Sequence, residues 1–171
     1  RATDAAGNTT TATRTVTRRI TSLRLFVTAP LDEVVTTAST VIVQGTVAGV
    51  APVKLTVNGM PVSIGSDGSF STIVPLVEGP NVVTVTATDG ANNIYTIQRL
   101  VIRDTTPPVL AITDPDEGFV TKDATVAISG IVDDSTSVDV TVNGTPAPIA
   151  VNGAFTSTVT LTEGVNTITV V

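Results

Sequence analysis

Cysteine, histidine and tryptophan are absent from these 171 residues. Without cysteine there can be no disulfide, thiolate metal site or Cys–His pair. Without histidine the imidazole ligands, the Ser–His pairs and the commonest general base are missing as well. Most enzyme mechanisms thereby lose their central residue, and the sequence reads as non-catalytic. Charged residues are only 14% of the chain and aromatics 3%, so the aromatic platforms on which sugar rings stack are scarce. No apolar run approaches the roughly 20 residues of a membrane span. Neither a signal peptide nor an initiating Met opens the chain, which is expected to be one section of something longer. A net charge of −6 argues against nucleic acid as a partner.

What is present is apolar and periodic. Apolar side chains are 42% of the total, enough to bury one or two compact cores. "LTVNGMPVSIGSDGSF", from Leu55, returns as "VTVNGTPAPIAVNGAF", from Val140, an offset of 85 residues. The same offset carries Gly45 onto Gly130, Pro61 onto Pro146, Phe70 onto Phe155, Glu78-Gly79 onto Glu163-Gly164 and Asn81 onto Asn166, with no gap. It also carries the opening "ATDAAGN" onto "ATDGANN" at Ala87–Asn93, so the first residues read as the last strand of a repeat. Arg1 and Val171 both fall at the phase of Thr86.

Within one period the pattern is all β. Val41, Val43 and Val47 alternate on one face, as do Val126, Ile128 and Val132 at the second copy. Further strands are predicted at "LRLFVT", "VKLTV", "PVSI", "SFSTIVPL", "NVVTVTA" and "IYTIQRLVIR", seven per repeat, with Phe70, Thr72, Val74 and Leu76 inward. Asn58-Gly59, Asn143-Gly144, Asp67-Gly68 and Asn152-Gly153 fit two-residue primed hairpin turns, because glycine accepts positive φ. Pro107-Pro108 marks a short, stiff connection. The expected architecture is two antiparallel seven-stranded sandwiches in tandem. The boundaries are a strand at 1–19 that belongs to a preceding or neighbouring repeat, a domain at 20–104, and a second domain at 105–171 that lacks its own last strand.

The pattern "TVNGxxV…DGxF…EGxNxVTVTATDxxxN…DTTPP" resembles the bacterial immunoglobulin-like repeats that occur in tandem in large cell-surface adhesins and as accessory modules of secreted glycosidases. The resemblance covers essentially the whole chain, and departs from antibody-type domains in lacking their Cys…Trp…Cys core. It implies an extracellular, cell-surface or secreted structural module, and no organic cofactor. It also implies calcium at domain junctions, for which the candidates are Asp89, Asp104, Asp114 and Asp116, since calcium takes six to eight oxygens. The competing reading of these acids is solvated loop residues and an Asp capping its own turn. Asp104, Asp114 and Asp116 fall at the phases of Arg19, Ala29 and Leu31, so the preceding junction could not repeat such a site. The pair Asp133-Asp134 likewise lacks the aromatic surroundings of a glycosidase cleft.

Charge is distributed unevenly. Residues 1–103 hold eight basic and six acidic side chains, and residues 104–171 hold one basic and nine acidic. Such polarity favours head-to-tail contact with copies of the chain or with adjacent repeats. The strand at Ala12, Arg14 and Val16 occupies the phases of Ile97, Arg99 and Val101, and the second repeat lacks a strand there. The expectation is that a strand of this kind completes the second repeat at a groove formed by Phe155, Ile168 and Val170, through tandem covalent repetition or donor-strand complementation in a filament. Three roles compete: a segment of a surface stalk, adhesin or filament; an accessory or carbohydrate-associated module of a secreted polysaccharide-degrading enzyme; and a phage or virion decoration domain.

Overall fold

The computed structural model describes residues 1–15 and 22–171. Its strands run β1 (Ala2–Thr3), β2 (Thr9–Thr10), β3 (Arg24–Ala29), β4 (Val34–Thr36), β5 (Thr40–Ala48), β6 (Lys54–Val57), β7 (Met60–Pro61), β8 (Ser69–Pro75), β9 (Gly79–Thr88) and β10 (Ile94–Arg103), then β11 (Val109–Asp114), β12 (Thr125–Asp133), β13 (Val140–Val142), β14 (Thr145–Ala147) and β15 (Ala154–Thr160). No helix occurs among the described residues. By chain packing the protein divides into two compact units, 1–30 with 42–73 and 83–98, and 31–41 with 74–82 and 99–171.

The first repeat forms two sheets, ordered β3-β5-β8 and β4-β10-β9-β6-β7. The second forms β11-β12-β15 and a two-stranded β13-β14. This is the all-β sandwich expected from the alternation, of the kind that the resemblance to immunoglobulin-like repeats implies. Val43, Gly45 and Val47 of β5 are buried in turn, as are Ile128, Gly130 and Val132 of β12, because side chains two apart share one face of a strand. The two copies agree down to their irregularities. A register shift interrupts β3 against β5 between Val27 and Ala29, and another interrupts β11 against β12 at the matching Ile112 and Asp114. In each case a cis proline follows, at Ala29–Pro30 and Asp114–Pro115.

Each core is centred on a phenylalanine crossing a glycine. A Cβ on Gly45 would collide with the Phe26 carbonyl and the rim of the Phe70 ring. One on Gly130 would meet the Ala111 carbonyl and the Phe155 ring. The missing side chain is the space in which the ring lies. Phe155 packs in a buried cluster with Ile128, Val132, Val140, Val142 and Ala147.

Two local expectations change. Asn58 and Gly59 both have positive φ (49° and 80°), as do Asn143 and Gly144 (48° and 78°), which is the primed turn predicted. At Asp67-Gly68 only Gly68 does (85°), and at Asn152-Gly153 only Gly153 (80°). There the Gly68 N–H donates to the Gly65 carbonyl (2.9 Å) and the Gly65 N–H to the Ser69 carbonyl (2.7 Å). This is a three-residue loop closed by a left-handed glycine, with the Asp67 carboxylate accepting from the Ser69 N–H (3.0 Å) and hydroxyl (2.7 Å). In addition, β4 is an eighth strand of the first repeat with no place among the seven expected; it pairs in parallel with β10, Val34 opposite Val101.

Candidate functional site at the open edge of the second repeat

Residues 165–171 hold the position in the second repeat that β9 holds in the first. Val170 bridges Val142, and the Thr141 and Val171 amides exchange hydrogen bonds of 2.7 and 3.0 Å. Asn143 locks the pair: its N–H donates to the Thr169 carbonyl (2.8 Å) and its Oδ1 accepts from the Thr169 N–H (2.8 Å). Asn58 makes the same two bonds with Thr84, both 2.8 Å. The asparagine of the turn thus serves both as the left-handed residue and as a clamp on the next strand.

The repeats differ beyond this strand. In the first, β10 and then β4 continue the sheet past β9. In the second, among the described residues, no strand continues past 165–171. The exposures of matching residues differ as well. Leu25 and Val27 of β3 are 4% and 8% exposed, whereas their counterparts Leu110 and Ile112 are 38% and 48% exposed. Val83 and Val85 are sealed at 1% and 0%, whereas Ile168 and Val170 are only half-buried. Phe119, Val120 and Thr121, at the phase of β4, form no strand, and Phe119 is 58% exposed. A three-residue edge strand has little to hold it once its partner is gone.

Polar groups record the same gap. Asn81 donates through Nδ2 to the carbonyls of Val77 and Gly79 (both 2.8 Å) and, at 3.4 Å, to that of Val101 on β10. Asn166 keeps the first two partners, Thr162 and Gly164, at 2.8 and 3.1 Å. The Asp32 carboxylate accepts the Leu100 N–H of β10 (2.8 Å), and Glu117 stands at its phase in the second repeat.

The sequence-predicted residues fall as follows. Ile168 and Val170 line the open edge. Phe155, expected beside them, is 2% exposed and lies in the core beneath. Leu110, Ile112 and Phe119 are also exposed and escaped the sequence reading, although the 85-residue offset from Leu25, Val27 and Val34 points to them. Ala12 and Arg14 are exposed and follow β2, outside any strand. Val16 lies outside the described residues.

The acidic candidates stand apart. Asp89 is 3% exposed. Its carboxylate accepts from the N–H groups of Ala91 and Asn93 (both 2.9 Å), the Asn93 side chain (3.0 Å) and the Val50 N–H (3.4 Å). The Asn93 amide above all holds its carboxyl below the usual range, against the opposing effect of desolvation. It caps its own turn. Asp104 accepts from the Ser135 hydroxyl (2.7 Å) and the Thr106 N–H (3.1 Å), and the Ser135 bond is the main reason its carboxyl is also lowered. Asp114 ends β11 at the register shift, and the Asp116 carbonyl accepts the Phe119 N–H (3.1 Å). Among the described residues no three acidic side chains gather into a group able to hold a metal ion.

Known proteins share this architecture. An I-band fragment of titin superposes with a TM-score of 0.55 at 10% identity, over 84% of this chain and 56% of that one. The fibronectin(III)-like modules of Clostridium thermocellum CbhA give 0.51 at 15% identity, over 86% and 84%. These likenesses are of fold. In sequence, bacillopeptidase F of Bacillus subtilis (strain 168) is 30% identical over 150 residues, which are 85% of this chain and 10% of that protein. The chain therefore spans about a tenth of the length of this curated relative. The family model for glucodextranase domain B matches twice, over residues 24–105 and again over 108–171. With both copies matched, the chain belongs to the glucodextranase domain B family, as tandem immunoglobulin-like repeats.

Proposed function

We propose that this chain is a non-catalytic extracellular module, a spacer segment of a surface stalk, adhesin or filament whose repeats are joined head to tail. The observation that carries this reading is the use to which the repeats put their shared polar residues. Asn58 and Asn143, Asn81 and Asn166, and Asp4 and Asp89 each spend their side chains on backbone groups of turns and strand ends, in the same pattern at both copies. What the repeats hold in common is the means of staying folded. Arrays of such units are stabilised by nearest neighbours and lengthened by adding copies.

Single-molecule extension tests the reading. Each sandwich should unfold as a unit, lengthening the chain by roughly 300 Å for the first and roughly 230 Å for the second, less the folded span, the reach of about 85 and about 67 extended residues. Extension without discrete steps would refute the spacer role. Protease treatment of intact cells of the source organism tests location, and a chain protected until lysis would contradict it.

A second reading, an accessory module of a secreted polysaccharide-degrading enzyme, is favoured by the family to which the chain belongs. Retardation of the chain in gels cast with soluble glucans would support it, and unchanged migration across several polysaccharides would leave the spacer role.

A further inference from the structure

We propose that the outer face of the β3-β5-β8 sheet, in the first repeat, is a binding site for a neutral polysaccharide chain, with the ring of Phe26 as its platform. The inference rests on the accessory-module reading above and gives that reading a site and a ligand class.

The face carries an open cavity of about 510 Å³, within the size range of ligand pockets. Its polar side chains are Thr28, Gln44, Thr46, Ser63, Ser69 and Ser71, and among the described residues no charged side chain lines it. Phe26 stands opposite Thr46 in the pairing of β3 with β5, so the two project from the same face of the sheet. The ring is 59% exposed, whereas Phe70 and Phe155 are buried. An exposed ring beside a field of hydroxyls matches a sugar on both counts: the aromatic face covers the C–H side of the pyranose, and the hydroxyls and carboxamide both donate to and accept from its O–H groups. A lining without charge offers no ion pair to a phosphate or a uronate.

Most of these polar groups do nothing for the fold. The Thr28 hydroxyl donates to the Gln44 carbonyl (3.2 Å) and that of Ser69 to the Asp67 carboxylate (2.7 Å). The side chains of Gln44, Thr46, Ser63 and Ser71 make no hydrogen bond to protein among the described residues. The second repeat shows that the sandwich does not require them. One period on, Phe26, Thr46, Ser63 and Ser69 become Ala111, Ile131, Pro148 and Ala154. The sheet there is nevertheless the same, ordered β11-β12-β15, with Ala111 opposite Ile131 as Phe26 is opposite Thr46. A single exposed aromatic is ordinary on a protein surface. Here the ring and three hydroxyls that folding does not demand are gathered on one face of one repeat, which is the distribution of a binding site.

Native gels cast with dextran, soluble starch or a mixed-linkage β-glucan, and with polygalacturonate as the charged comparison, test the proposal on the full chain. At least one of the neutral glucans should retard it. Phe26→Ala should weaken that retardation several-fold, and Thr46→Ile should weaken it less. Each variant installs the residue that the second repeat carries in the same fold, so thermal melting should change little, and Thr46→Ile decides the matter where Phe26→Ala melts early. Tyr95→Ala removes a comparably exposed ring (49%) from β10 and should migrate as the parent does. Titration with a hexasaccharide of the retarding glucan should shift the amide resonances of Gln44, Thr46 and Ser71 and leave those of Ser129, Ile131 and Thr156 in place. Retardation that survives both substitutions would overturn this site and leave the accessory-module reading standing. Unchanged migration in all three neutral glucans would overturn both. Stronger retardation by polygalacturonate than by any of them would overturn the choice of a neutral ligand.

Discussion

The two repeats are built around the same phenylalanine, and among the described residues the sheet continues past β9 in the first and has no strand past the matching position in the second. Leu25 and Leu110 are the same residue at the same phase of the same strand, buried in one copy and more than a third exposed in the other. The difference is a neighbouring strand, present as β10 in the first repeat and missing from the second among the described residues. Burial is therefore a property of the completed sheet and not of the strand alone.

The largest expected effect tests how far the closed and open cores behave alike. Phe70→Ala and Phe155→Ala should each destabilise their own repeat by about 3–5 kcal/mol, the cost of lost burial plus an unfilled cavity. Phe155→Ala should fall toward the lower end, since an open core can collapse into the space. Chemical denaturation of each variant, with the transitions of the two repeats resolved, measures this. A larger loss for Phe155 than for Phe70 would contradict the comparison.

Overpacking comes next. Gly45→Ala and Gly130→Ala place a methyl where a carbonyl and a phenylalanine ring already lie, and each should cost about 1–3 kcal/mol. The double variant Gly130→Ala with Phe155→Leu should recover part of that loss, which thermal melting would show.

Closing the open core is the third. Adding a copy of residues 87–103 after Val171 should return Leu110, Ile112, Ile168 and Val170 to the burial of their counterparts. The gain should be about 2 kcal/mol, since only part of each side chain remains to be covered. Slower amide exchange at Phe119–Thr121 would report the accompanying edge strand, and unchanged exchange there would break the analogy with β4.

The smallest effect is an acid response at Asp67 that its counterpart Asn152 does not share. The carboxyls of Asp67 and Asp89 lie below the ordinary value of 3.8 in the folded state, through hydrogen bonds led by the side chains of Ser69 and Asn93. A lowered folded pKa contributes stability that is complete above the unfolded value and is lost as pH falls through the folded one. The first repeat should therefore weaken below about pH 4. In the second, Asn152 replaces Asp67 and its Oδ1 accepts the Ala154 N–H (3.2 Å) with no proton to gain. Asp67→Asn should flatten part of the acid response of the first repeat while leaving neutral stability nearly unchanged. An acid limb equally steep in both variants would exclude Asp67 as a source.

What the sequence by itself determined was local or periodic. The 85-residue offset established two copies of one fold, and alternation placed Val43, Val47, Ile128 and Val132 inward because side chains on a strand repeat every two residues. Asn58-Gly59 was legible because a primed turn makes its demand, positive φ at both positions, of the two residues themselves. Asp67-Gly68 looks the same as a dipeptide, but its loop is set by the pairing of Gly65 with Ser69, one step outside. Only the tertiary structure decided the rest. Val34–Val35–Thr36 is a strand and Phe119–Val120–Thr121 is not, because three residues take their hydrogen bonds from a partner more than sixty positions away. Leu110 and Ile112 are likewise exposed where Leu25 and Val27 are buried. Each carries the apolar character of a core residue, and whether it is core depends on a strand that its own segment does not contain.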